Sequence, residues 1–100
     1  MIYVTQIVYI KEGEEQTFEE FESVAIPAIR KYNGKLLLRL RPGVDNVIES
    51  TIEKPYEIHI VEFASMADFE SFKSDKDRLK FLHLKEKSVR AMMMIKGEKL

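Results

Sequence analysis

One hundred residues, 45% apolar and 33% charged, with a formal net charge of −1, suit one small domain and give no electrostatic case for nucleic acid or an anionic membrane. The absence of cysteine excludes disulfides, thiolate metal sites, iron–sulfur clusters and a thiol nucleophile. Glycines at 13, 34, 43 and 97 are too far apart to cradle a phosphate, and two histidines cannot form a three-histidine metal site, so no metal or cofactor is expected.

The opening MIYVTQIVYI is apolar, yet it has no basic leader segment or small-residue cleavage site. No apolar run approaches the ~18 residues of a membrane span. The expectation is a cytoplasmic protein with no membrane contact, residues 1–100 forming a single domain. β-branched and aromatic residues predict a strand over 2–10, and a charged loop around Gly13 follows. Thr17-Phe18-Glu19-Glu20 has the form of a capping box, in which a hydroxyl and a glutamate satisfy free amides at a helix start. Phe18, Phe21, Val24/Ala25, Ala28/Ile29 and Tyr32 continue at helical spacing. Pro27 removes a backbone donor and predicts a kink near 23–27. Asn33-Gly34 ends the helix, with glycine expected in the left-handed cap.

A second strand is predicted over 36–41, closed by Pro42-Gly43. A polar connection over 44–55 follows, in which Val47-Ile48 is a candidate extension of the sheet. A third strand spans 56–63. Ser65 to Asp68 has capping-box spacing, and Ser74 to Asp77 repeats it, so the second helix should break and restart there before ending near residue 90. Met92 to Lys96 completes the set, with Gly97 ending the regular chain. The order β-α-β-β-α-β is the ferredoxin-like α+β arrangement. It implies an antiparallel four-stranded sheet with strands one and three central and both helices on one face.

Strand parity says that the other face is covered. Ile2, Val4, Val8 and Ile10 alternate with Tyr3, Thr5, Ile7 and Tyr9, and His59, Val61 and Phe63 alternate with Tyr56, Ile58 and Ile60. A sheet with one solvated face should instead alternate apolar with polar. No spare element exists to cover it, so the expected partner is a second copy, giving a homodimer that buries ~800 Å² per protomer. An RNA-binding domain of the same topology is disfavoured, because the third strand offers Ile58 and Ile60 where stacking aromatics would be needed.

Polar residues that interrupt apolar parities mark the candidate site. Gln6 and His59 fall near the middle of neighbouring strands on the helix-facing parity, forming an amide–imidazole pair suited to ligand orientation or acid–base work by His59. Arg39 and Arg41 fall on the opposite parity to Leu36, Leu38 and Leu40. Arg39 is expected to pair with Glu62 on the open face or to bind a ligand carboxylate. His83 reads as a boundary residue of the second helix. Residues 12–22 hold six glutamates and no base, while 73–90 hold seven basic against three acidic residues, a complementarity that can help register the helices.

With these residues in view, the chain resembles the dimeric α+β barrel superfamily, and within it domain-of-unknown-function family thirteen-thirty. The likeness rests on Pro27 with Tyr32-Asn33-Gly34-Lys35, Leu38-Arg39, Val47-Ile48-Glu49 ahead of Pro55, Glu62-Phe63-Ala64-Ser65, and Ser74. It implies a ferredoxin-like dimer and assigns no general reaction. Superfamily relatives include cofactor-independent monooxygenases, haem-degrading monooxygenases and small isomerases, with pockets between sheet and helices. The haem-degrading group uses a helix tryptophan, which this chain lacks. Two expectations follow: a homodimeric, oxygenase- or isomerase-like barrel with a small-molecule pocket at His59, Gln6, Arg39 and Glu62, or a non-catalytic dimeric protein-interaction module with a packed core.

Overall fold

The computed structural model describes residues 1–100. β1 (Ile2–Ile10) leads into α1 (Glu15–Ile29), a 3-10 turn over Arg30–Tyr32 and β2 (Gly34–Leu40). A second 3-10 turn, Val44–Asn46, precedes β3 (Glu57–Phe63). Three short helices, α2 (Met66–Lys73), α3 (Lys76–Lys80) and α4 (Leu82–Ser88), then run directly into β4 (Val89–Gly97). The sheet order is β2-β3-β1-β4, with every pair antiparallel. This is the ferredoxin-like α+β arrangement that the element order implies. No helix is long and apolar enough to cross a membrane.

The core lies between the helices and one face of the sheet. Val4, Val61 and Phe63 meet Ala28 and Ile29 of α1 and Phe69 and Phe72 of α2. Phe63 is the hub, with ring centroids 5.4 Å from both Phe69 and Phe72. The Cα extents of 36 × 35 × 16 Å describe a slab two layers thick. Its far side is the open face of the sheet, where Leu38, Leu40, Met93 and Ile95 are exposed.

Local chemistry departs from the sequence expectations at several helix ends. α1 starts at Glu15, and Thr17 lies inside its first turn with its hydroxyl donating to the Glu14 carboxylate at 2.7 Å. The expected capping box is not formed. Pro27 sits within α1 two residues before its end, where the ladder is already finishing. Asn33, with φ 56°, takes the left-handed cap expected of Gly34. Gly34 is required for closeness instead: a Cβ there would lie 2.6 Å from Ile29 Cγ2 and 2.7 Å from Phe63 Cε1. Ser65 caps α2 by accepting from Asp68 N at 3.1 Å, and the predicted break occurs, but Asp75 rather than Ser74 caps α3, accepting from Arg78 N at 2.9 Å. Val47-Ile48 does not extend the sheet; Ile48 is fully exposed.

One irregularity decides the site. The β2–β3 register shifts between Leu36 and Leu38, a bulge at Leu37. Leu36 pairs with Val61 and packs on the core, whereas Leu38 pairs with Ile60 on the open face. Beyond the bulge the parity is reversed, and Arg39 pairs with His59 on the helix side.

Candidate functional site

The antiparallel register sets Gln6 of β1 against His59 of β3, and Arg39 of β2 against the same histidine from the other side. Gln6 Oε1 stands 3.3 Å from His59 Nδ1. The amide can present either its oxygen or its NH2 group to that nitrogen. His59 Nε2 bonds the carboxylate of Glu57, the residue two positions earlier on the same face. Both histidine and glutamate are buried, at 3% and 1% exposure.

Glu57 anchors the polar cluster. Its Oε2 accepts from Arg39 Nε at 2.9 Å and its Oε1 from an Arg41 NH2 at 2.6 Å. Both guanidinium groups also reach Glu19 of α1, Arg39 at 3.1 Å, and Arg41 lies over the Tyr56 ring at 4.3 Å. Burial alone would push the Glu57 carboxyl upward, but hydrogen bonds from His59, Arg39 and Arg41 outweigh it and hold the group at about 2. Glu57 is therefore a fixed anion that orients the imidazole through Nε2.

Glu22, on the buried stripe of α1 between Phe18 and Ala25, approaches the same histidine from the helix layer, with Oε2 at 3.9 Å from Nε2. It is 6% exposed. Burial raises its pKa to about 7; nearby His59 and Arg39 oppose the shift and Glu57 reinforces it. At neutral pH it is poised between acid and base. Both ring nitrogens of His59 are engaged by protein groups, so Glu22 is the carboxyl free to exchange a proton at this site.

These groups border a cavity of about 30 Å³ between sheet and helices, room for roughly two waters. Its walls include Gln6, Glu22 and His59 with Val4, Val61, Phe21 and Phe72. Arg78 of α3 and Lys85 of α4 close one side, partly buried, as does Met92 of β4. Burial lowers the pKa of both basic groups, and for Lys85 the nearby Arg78 lowers it further.

Of the residues singled out from sequence, Gln6, His59 and Arg39 come together. Glu62 does not join them: it faces Tyr3 and Lys35 on the open side, at the other end of β3. The expected Arg39–Glu62 pair is replaced by Arg39–Glu57 and Arg39–Glu19, because the bulge turns Arg39 toward the helices. His83 is exposed and stacks beside Phe81 at 6.5 Å, away from the cavity. Two functional residues escape a reading by composition. Glu57 shares the strand parity of His59, Val61 and Phe63, and Glu22 falls four residues after Phe18, so an acid on an apolar parity was the available signal for each. Among the glutamates of α1, Glu19 forms its ion pairs with Arg39 of β2 and Arg41 just beyond it, and not with the basic helices.

Glu22, Glu57 and His59 offer one ligand atom each within 4.8 Å of one another, a possible cation nest by distance. Both Glu57 oxygens, however, are occupied by guanidinium and imidazole donors, which oppose a divalent cation.

A family model described as a domain of unknown function (DUF1330) covers residues 3–97. The chain belongs to the DUF1330 family. Solved structures share the fold. A protein of unknown function from Rhodopseudomonas palustris superposes with TM-score 0.83 at 15% identity, covering 99% of this chain and 82% of that one. A DABB family protein with a ferredoxin-like fold from Mesorhizobium loti gives 0.72 at 18%, covering 99% and 96%. A NIPSNAP family protein with unknown function from Agrobacterium tumefaciens gives 0.70 at 17%, covering 97% and 86%. At these identities the likeness concerns the fold. No curated protein sequence matches the chain.

Proposed function

We propose that this DUF1330 protein is a cytoplasmic homodimer that catalyses cofactor-independent proton transfer on a small molecule, an isomerase-like reaction. The observation that carries the reading is Glu22: a buried carboxyl titrating at about 7, unclaimed by any hydrogen bond to protein, in the same cavity as an anchored histidine. A general acid–base works best when its pKa is near the operating pH. In this reading Glu22 removes a proton from the substrate and returns it elsewhere. His59, held by Glu57, stabilises the Glu22 carboxylate, and the Gln6 amide orients the substrate.

Dimerisation through the open face of the sheet belongs to the same proposal. The chain alone exposes 6589 Å², whereas a compact monomer of this mass exposes ~5,900 Å². The excess, about 700 Å², is close to the ~800 Å² that one partner buries in a stable interface. The exposed apolar groups of that face, Leu38, Leu40, Met93 and Ile95, supply its chemistry.

The test is exchange of solvent deuterium into a panel of small enolisable carbonyl compounds, followed by NMR at pH 7. The wild type should accelerate exchange over buffer for at least one compound, and Glu22→Gln should abolish that acceleration while keeping its circular dichroism. Equal exchange in the two proteins, or none above buffer, overturns the assignment. The small cavity volume favours one other reading, a non-catalytic interaction module whose site holds only water. Absence of exchange across the panel would support it.

A further inference from the structure

Arg78 and Lys85 line the cavity from two different helices, yet neither has a carboxylate within ion-pair distance. The other basic residues that touch the site, Arg39 and Arg41, are each ion-paired with both Glu57 and Glu19. Arg78 spends one NH1 on the Lys73 carbonyl at 3.1 Å and lies over the Phe72 ring at 5.3 Å and the Phe21 ring at 5.8 Å. Those contacts fix its plane and leave donors of its five-donor fork uncommitted. Lys85 makes no side-chain hydrogen bond to protein. The two cations stand near one another at an apolar cavity with no carboxylate in contact: Arg78 repels Lys85, while Glu22 and Asp75 attract Arg78, and Glu22 and Glu86 attract Lys85, only through space.

We infer that Arg78 and Lys85 form an anion seat, and that the molecule taken by this cavity is a short carboxylic acid whose carboxylate lies between them. The rest of the molecule then points inward to Glu22, His59 and Gln6 past Phe21 and Phe72. A carboxylate accepts the planar guanidinium fork and the ammonium together, relieving the repulsion between them. At about 30 Å³ the cavity admits no extended ligand, and even a short acid must part the walls at Phe21 and Phe72 to enter it. This inference supplies the substrate class for the proton-transfer reading and rests on it for the reaction, but it is read by binding.

The probes are pyruvate, 2-oxobutyrate and acetoacetate, each against its methyl ester, titrated into the whole protein by calorimetry and by NMR at pH 7. At least one acid should bind while its ester does not, and affinity should fall as salt rises. Lys85→Gln should weaken acid binding by roughly tenfold, the loss of one charged hydrogen bond. Because Arg78 also packs on two phenylalanines, Arg78→Lys is the companion variant: it keeps the charge, loses the fork, and should weaken binding by a smaller factor. Acid and ester binding equally, no acid binding at millimolar concentration, or Lys85→Gln binding like the wild type would each overturn the seat. The two readings fail separately. Acids that bind through Lys85 without deuterium exchange sustain the seat and sink the proton transfer, whereas exchange into esters as fast as into acids does the reverse.

Discussion

Leu36 and Leu38 lie on opposite faces of the sheet although only one residue separates them, because β2 bulges at Leu37. Leu36 meets Val61 beneath the helices and Leu38 meets Ile60 on the open side. The half-turn gained there carries Arg39 and Arg41 inward to the buried Glu57, which without them would be a charge in an apolar layer.

That arrangement makes Glu57 dependent on its partners. Arg39→Ala should lower stability by roughly 1–3 kcal/mol in urea unfolding at pH 7, since Arg41 and His59 remain to hold the carboxylate. The loss should shrink on acidification. With the Glu57 pKa at about 2 in the folded chain and the ordinary 4.5 unfolded, its stabilisation is present above 4.5 and disappears as pH falls toward 2. A variant equal to the wild type at pH 7 would contradict the role of the pair.

Glu22 has the opposite sign. Its pKa rises on folding from 4.5 to about 7, so below pH 4.5 both states carry the proton and no cost arises. Between 4.5 and 7 the unfolded chain ionises first, and folding is progressively penalised, by roughly 3 kcal/mol at and above pH 7. Glu22→Gln should therefore be more stable than the wild type at pH 8 and much closer to it at pH 4. Urea titrations at the two pH values measure this directly; an unchanged difference between them would refute the assignment.

Gly34→Ala should destabilise by about 1–3 kcal/mol, the ordinary cost of forcing an atom into a filled core. The new Cβ meets the Ile29 carbonyl oxygen at 2.7 Å as well as the Ile29 and Phe63 side chains, so a rotamer change cannot clear it. Thermal unfolding of the variant alone and with Phe63→Leu tests the source, because the second change should recover part of the loss if the ring is the obstacle.

Leu38→Glu and Ile60→Glu occupy paired positions on the open face. Either should convert a dimer of twice 11.7 kDa into a monomer in size-exclusion chromatography with light scattering, with the helix content retained. A wild-type mass of 11.7 kDa at micromolar concentration would remove the homodimer from the proposal.

Periodicity and capping residues made most of the fold legible. Phe18 to Tyr32 at helical steps, alternating strands and the caps at Ser65 and near Asp75 are local signals, written by contacts within a few residues. Gln6 and His59 could be set opposite one another because antiparallel pairing of two central strands follows from the element order. Sequence by itself thus determined the topology, the two-sided apolar sheet and the central polar pair. Only the tertiary structure decided where Arg39 points, since a single bulged residue inverts strand parity and leaves no local signature in GKLLLRL. Only it showed Glu22 to be buried against His59, and Arg78 with Lys85 beside them: these groups come from α1, β3, α3 and α4, and the shifts of Glu22, Arg78 and Lys85 come from a shared loss of water that no local segment encodes.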